Sequence, residues 1–386
     1  MSKVDDLISA LCPKGVTSKA ISSICNVSRG RVMSKDYLRD NAGEYPVYSS
    51  QTANNGVFGK IQTYDYDGEY LTWTTDGANA GSIFYRTGKF SITNVCGLLK
   101  VSTHSVNAKY LSYILGTLAK KYVSSGMGNP KLMSNVMSAI KVPIPPLEVQ
   151  EEIVNILDKF TRLEAELSAE LSARQKQYEF YRNQLLTFDD EGGVQWTTLG
   201  EVAMYSKSRI ASDELDHENY VGVDNLLQNR QGKTDSSHAP NSGNMTRFDD
   251  GDILIGNIRP YLKKIWHADR VGGTNGDVLV VQLQDKYKDK LIPRYLYQLL
   301  ASDNFFTFNM RNSKGAKMPR GDKTSILKFD IPVPSIEAQR RAISILDKFD
   351  TLVSDISIGL PAEITARRQQ YEYYRTRLLT FQELTV

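Results

Sequence analysis

Cysteine and histidine are scarce in this chain of 386 residues. Cys12, Cys25 and Cys96 are odd in number and lack metal-ligand spacing, which argues against a disulfide framework and against a cysteine-based zinc site. The four histidines, His104, His217, His238 and His267, are scattered, so spacing suggests neither a Ser/His/Asp triad nor a metal site. No apolar run approaches the roughly 18 to 20 residues of a membrane span. The opening MSKVDDLISALCPKG has no continuous apolar core of the kind a signal peptide needs. With 41% hydrophobic and 24% charged residues, the composition is that of a soluble globular protein, and a reducing cytosol is the expected location.

Motifs of nucleic-acid chemistry are missing too. An amino-methyltransferase acting on a flipped base should show an Asn/Asp-Pro-Pro-aromatic string, and neither Asn129-Pro130-Lys131 nor Pro145-Pro146-Leu147 fits. The common metal-dependent nuclease pattern needs an acidic residue two positions before a lysine, and no lysine here has one. Gly232-Lys233-Thr234 lacks the earlier glycine of a phosphate-binding loop. A binding protein is therefore favoured over an enzyme, with no metal or cofactor of its own.

What the chain does contain is a repeat. PIPPLEVQEEIVNILDKF at 143–160 returns as PVPSIEAQRRAISILDKF at 332–349, 189 positions later. ARQKQYEFYRNQLLTF at 173–188 returns as ARRQQYEYYRTRLLTF at 366–381, now 193 positions later. The four residues gained between the blocks make about one helical turn, which keeps a helix face in phase. The segments ahead of the repeats, roughly 16–142 and 194–331, are alike in length and mostly unlike in sequence. Traces of kinship remain: Thr93 and Asn94 match Thr274 and Asn275, and Gly126, Pro130 and Lys131 match Gly315, Pro319 and Arg320. LISALCPKGV at 7–16 lines up with LLTFDDEGGV at 185–194, as though the N-terminus were the loose end of the second repeat. Such a chain can close into a two-fold pseudo-symmetric ring.

This length exceeds one ordinary core. The expected parts are a helical stub (1–15), a first variable domain (16–145), a first repeated helix (146–193), a second variable domain (194–334) and a second repeated helix (335–386). In the first helix Ile153, Leu157, Phe160, Leu163, Leu167, Leu171, Tyr178, Tyr181 and Leu185 recur mostly at steps of three and four, an apolar seam on a rod of about 60 Å. Its mate carries Ile343, Leu346, Phe349, Leu352, Ile356, Ile364, Tyr371, Tyr374 and Leu378, interrupted by Gly359 and Pro361, where a kink or break is expected. Two such seams suit an antiparallel coiled coil. The proline stretches before each helix read as extended lead-ins that continue neither helix nor sheet.

The variable domains read as strand-rich and mixed. EYLTWTT (69–75), SIFYR (82–86), GDILIGNI (251–258) and GDVLVVQL (276–283) are candidate strands between turn residues. Residues 109–123 and 293–308 look like matching amphipathic helices. Trp73, Trp196 and Trp266 are expected in cores. The fold class is thus α+β: two mixed domains joined by two long antiparallel helices.

The net charge of +3 is unevenly spread. Segment 16–142 has 14 basic against 7 acidic residues and segment 194–331 has 19 against 17, while 143–193 has 5 against 11. Basic variable domains suit a polyanion, although the excess in the second equals ordinary surface fluctuation. Candidate contacts in the first domain are Arg29, Arg31, Thr74, Thr75, Asn79, Asn129 and Lys131. In the second they are Lys207, Arg209, Asn257, Arg259, Tyr261, Lys263, Lys264, Lys314, Lys317 and Arg320. A single Lys or Arg is more often a solvated charge than a base reader, so the clusters at 259–264 and 313–321 weigh more than their members. The seam contacts expected between helices are Leu157, Phe160, Leu167, Tyr178, Leu346, Phe349, Tyr371 and Tyr374.

Two dissimilar domains, each followed by a helix that opens with PIPPLEVQEEIVNILDKF or PVPSIEAQRRAISILDKF and closes with QYEFYRNQLLTF or QYEYYRTRLLTF, resemble the DNA-specificity subunit of type I restriction-modification systems. IGNIRPYLKKIW at 255–266 and GAKMPRGDK at 315–323 are similar to segments of that family's target-recognition domains. The resemblance implies that each variable domain reads one half of a split double-stranded DNA site while the helices set the gap. It implies partners as well: methyltransferase subunits, usually two, that bind S-adenosylmethionine and methylate adenine, and a restriction-translocase subunit. The competing reading is a scaffold whose two basic domains bind RNA or proteins.

Overall fold

The computed structural model describes residues 3–124, 128–188, 194–354 and 358–384. Two compact units emerge, Met1–Ala165 with Ala366–Val386, and Glu166–Thr365. Among the described residues no helix is long and apolar enough to cross a membrane.

The first unit holds a six-stranded sheet in the order Cys25–Arg29, Cys96–Val101, Tyr66–Thr74, Ile83–Ile92, Ala42–Tyr48, Val57–Ile61, antiparallel except where Ala42–Tyr48 meets Ile83–Ile92. Alternation along EYLTWTT sends Leu71 and Trp73 into one core with the helix Ala108–Leu118, and Tyr70 into another with Phe90, Ile92 and Leu98. Trp73 is fully buried, and its Nε1 donates to Leu132 O at 3.0 Å. Its cross-strand neighbour must be Gly97, since a Cβ there would lie 2.2 Å from the indole.

In the second unit Ala203–Tyr205, Val278–Leu283, Ile253–Gly256 and Ile265–His267 form an antiparallel sheet in that order, beside a three-stranded sheet of Arg209–Ala211, Asn244–Phe248 and Gly272–Thr274. Its central strands are apolar without alternation because both faces are covered. Ile253, Ile255, Leu279 and Val281 join one cluster, while Leu254, Val278 and Val280 join Trp266 in another. The single helix expected at 293–308 is two, Pro293–Leu300 and Asp303–Arg311. Ser302 divides them by accepting Phe305 N–H on its Oγ, a local bond that competes with helix continuation.

Each variable segment closes at its base in a two-stranded antiparallel ribbon, Ser18–Ala20 with Lys141–Pro143 and Gln195–Thr198 with Asp330–Val333. Pro143 and Pro332 therefore lie within short strands, correcting the expectation that the proline lead-ins stay out of sheets; an edge strand tolerates a residue without an N–H. Trp196, opposite Pro332, is 44% exposed, because a ribbon of two strands leaves it at the surface, whereas Trp73 and Trp266 are core residues.

The repeated blocks form the helices Leu147–Leu186, Ile336–Ser354 and Leu360–Leu378, so the second repeat is divided near Gly359 as Gly and Pro predict. The matched Gln150 and Gln339 are fully buried and bonded alike. Gln150 Oε1 accepts Asn107 N–H at 2.8 Å, and its Nε2 donates to Ser105 O at 2.9 Å and Pro145 O at 2.7 Å. Gln339 Oε1 accepts Ile292 N–H at 2.9 Å, and its Nε2 donates to Lys290 O at 2.8 Å and Pro334 O at 2.9 Å. Two turns on, Asp158 takes Lys109 Nζ and Tyr113 OH, both at 2.6 Å, and Asp347 takes Arg294 Nε at 2.9 Å and Gln298 Nε2 at 3.2 Å.

The apolar seam appears in patches. In the first unit Leu157 is buried and Phe160 lies 5.5 Å from Tyr374 and 6.3 Å from Tyr371. Glu164 pairs with Arg368 at 2.5 Å, so there the helices run antiparallel. In the second unit Leu346 is buried and Phe349 stacks on Tyr178 at 5.9 Å and on Tyr181 at 5.4 Å. Leu163 is exposed and Leu167 is half-buried, because domain residues cover the long helix near its ends rather than its middle; Leu352, near the end of the helix Ile336–Ser354, is exposed as well. Ile356 lies outside the described residues. The stub forms the helix Lys3–Leu11, which buries Val4 in one cluster with Leu378 and Leu379 and pairs Asp5 with Arg377 at 3.1 Å.

Replacing Gln339 by Leu preserves volume and strands one N–H and two carbonyls. We expect a loss of about 2–4 kcal/mol in the second unit's transition on urea unfolding. A change within error would contradict the part assigned to this glutamine.

Candidate nucleic-acid interface

Each unit brings two of its sequence-predicted clusters together by one strand bridge. In the first, Lys131 bridges to Asp76 and to Ser124. Gly77 N–H donates to Pro130 O at 2.9 Å, and Leu132 N–H donates to Thr75 O at 2.9 Å. In the second, Arg320 bridges to Ile258 and to Lys314. Arg259 N–H donates to Pro319 O at 2.7 Å, and Gly321 N–H donates to Asn257 O at 3.1 Å. Thr75, Asp76, Gly77, Pro130 and Lys131 thus correspond to Asn257, Ile258, Arg259, Pro319 and Arg320. The kinship between Lys131 and Arg320 showed in sequence; that of 75–77 with 257–259 did not, because only the backbone is shared.

The side chains on this common frame differ. In the first unit Arg29 Nη2 donates to Thr75 Oγ1 at 2.7 Å and lies 3.3 Å from Asp76, which also faces Lys131 Nζ at 3.8 Å. Asp76, inside the polar loop 74–79 and not itself a candidate contact, therefore offsets both cations. Asn79 and Asn129 are exposed nearby. Thr74 and Thr75 are fully buried, so they scaffold the loop instead of offering contacts. Arg31 does not join Arg29: it pairs with Asp65 at 3.1 Å and lies over the Tyr37 ring.

In the second unit Arg259 is exposed, and its side chain has no hydrogen-bond or ion-pair partner among the described residues. Its backbone is left-handed at φ 52°, a conformation that a non-glycine residue keeps only when its surroundings enforce it, and Gly77 at the matching position has φ 91°. Tyr261 and Lys317 are exposed, and Arg320 lies 3.6 Å from Asp277. Lys263 and Lys264 do not face outward as free cations. Lys263 Nζ meets Asp303 at 2.6 Å, and Lys264 Nζ donates to Val223 O at 2.7 Å, each offering nearer acceptors than solvent. Asn257 is buried beneath Gly321, where an added Cβ would approach its Oδ1 to 2.8 Å. Lys207 is exposed and Arg209 donates to Thr246 Oγ1 at 2.9 Å, on the three-stranded sheet and apart from the bridge. No cluster of three or more potential metal ligands occurs among the described residues.

The sequence model described as type I restriction modification DNA specificity domain matches residues 13–173 and 192–366. The chain belongs to this type I restriction-modification DNA-specificity family. As a member it is a DNA-specificity subunit with two target-recognition domains, and not itself an enzyme. A Mycoplasma pneumoniae protein named as a type I specificity subunit is 33% identical over 370 residues, 94% of this chain and 97% of that one. The specificity subunit of the type I restriction enzyme MpnII, from the same organism, is 44% identical over 175 residues, covering 44% of this chain and 53% of its own. The crystal structure of a type I restriction-modification S subunit from M. genitalium shares the specificity-subunit fold at a TM-score of 0.62 and 14% identity, covering 94% of this chain and 96% of that chain.

At the edge of the bridge, the Lys314 ammonium and the Ser325 N–H hold the Asp322 carboxyl down to about 2. Because that value is depressed, the contribution is complete above the ordinary carboxylate range and is lost as pH falls through about 2. Lys314→Ala should raise the Asp322 midpoint in an NMR titration; an unmoved midpoint would mean that the pair is not formed in solution.

Proposed function

We propose that residues 16–145 and 194–334 each read one half of a split double-stranded DNA site, and that the repeated helices at 146–193 and 335–386 fix the gap between the halves. The observation that carries this reading is the pair of matched strand bridges, which set different side chains on one backbone frame. Cations such as Lys207 and Lys317 anchor phosphates, and Asn79, Arg259 and Arg320 meet base edges. The repeated helices dock a methyltransferase subunit, one copy per repeat, which supplies S-adenosylmethionine and methylates adenine. A restriction-translocase subunit joins that complex for cleavage, and the assembly works in the cytoplasm.

Methylation mapping of genomic DNA from cells making this chain with its methyltransferase partner, against cells making the partner alone, tests the reading. A new split motif with a methylated adenine in each half is expected. A stable complex that yields no new motif would turn the reading toward a scaffold that binds RNA or proteins. Within the motif, Arg259→Ala should cost about 1–3 kcal/mol of discrimination in the second half-site and none in the first, read from binding to substituted duplexes at fixed salt.

A further inference from the structure

The 259–264 loop of the second domain is tied to the long helix through a residue outside every sequence-predicted cluster. Arg230 N–H donates to Lys263 O at 2.9 Å. Its Nη1 donates to Glu179 Oε1 at 2.8 Å on the helix Leu147–Leu186, and its Nη2 reaches Asp303 Oδ1, the oxygen that also receives Lys263 Nζ at 2.6 Å. Arg182, only 1% exposed and 4.1 Å above the Tyr178 ring, meets the same Glu179 oxygen at 3.0 Å. The Arg230 side chain is 10% exposed.

Three details show that this clasp is built rather than incidental. Asn229, Arg230 and Lys263 all have left-handed backbones, at φ 55°, 64° and 51°, and such strain persists only where the surroundings enforce it. The Arg230 side chain, only 10% exposed, meets carboxylates on two different elements at once, so Arg230 is not an interchangeable surface cation. The matching Glu372 and Arg375 of the other repeat also pair, yet no second cation joins Glu372 among the described residues. The clasp is thus a property of the second unit and not of the repeat.

We propose that Arg230 is a positioning residue for DNA reading: it fixes the 259–264 loop on the long helix, so that Arg259 and Tyr261 meet DNA in one geometry. The proposal rests on the second domain being a half-site reader.

Two variants of the full chain separate this part from general stability. Arg230→Met removes the charge, and Arg230→Lys keeps it while being unable to span both carboxylates. In the free chain, amide exchange at Leu262 and Lys263, whose N–H groups donate within the loop, should quicken in both variants by about tenfold, the mark of a loosened local unit. In the complex with the methyltransferase partner, methylation mapping should show discrimination in the second half-site falling by about tenfold, the scale of one good base contact, with the first half-site unchanged. Unchanged loop exchange, full discrimination despite a loosened loop, or equal weakening of both halves would each overturn the proposal. If the unsubstituted complex gives no split motif, the half-site reading fails first, while exchange in the free chain still reports whether the clasp exists.

Discussion

One buried glutamine in each repeat holds together three stretches of chain that secondary structure alone would leave independent. Gln150 and Gln339 each accept the backbone N–H of the residue that caps a domain helix, Asn107 before Ala108–Leu118 and Ile292 before Pro293–Leu300, and donate to a carbonyl just before it and to a carbonyl of the proline lead-in. Only an amide does this with one side chain, since a glutamate offers no donors and a leucine no polar atoms. Inside a core, where each unpaired group carries a penalty, the three bonds must form together. Asp158 and Asp347 repeat the arrangement two turns later with a changed set of partners, Lys109 and Tyr113 in one unit and Arg294 and Gln298 in the other. Variable domain and constant helix are therefore fused by polar bonds whose anchors lie on the constant side.

This explains how much of the fold was legible. The glutamine and aspartate positions are invariant within the chain, so the repeat exposed them even though their partners were invisible. The central strands were readable from their apolar runs, and the division of the second helix from Gly359 and Pro361. The break at Ser302 was not, because a serine inside an amphipathic stretch signals a cap only once its Oγ is seen to bond Phe305 N–H. The seam was over-read at Leu163 and Leu352, where helical spacing was correct and a covering layer was absent. Among the candidate contacts, runs of cations did not reveal which members are already paired: Lys263 and Lys264 are spent on Asp303 and Val223, and Thr75 lies buried. Arg230 carried no signal in sequence, since it acts through residues far away along the chain.

Net charge proved a poor guide to local charge. The first variable segment is the more basic, yet its bridge is built around Asp76, which neutralises Arg29 and Lys131. The second is nearly balanced, yet it exposes Arg259 without a counter-ion among the described residues. Net charge sets only the long-range field of a segment, whereas the freedom of a single cation depends on the carboxylates beside it.

At the bases of the variable segments Ser18 sits beside Pro143, and Gln195 beside Val333, so each segment enters and leaves through a doorway two strands wide. Everything between those strands is a cassette, and the glutamine anchor on the helix side takes only backbone atoms from it. The aspartates two turns on ask for more than backbone: Asp158 takes Lys109 and Tyr113, and Asp347 takes Arg294 and Gln298, so a cassette must also bring side chains that meet the helix.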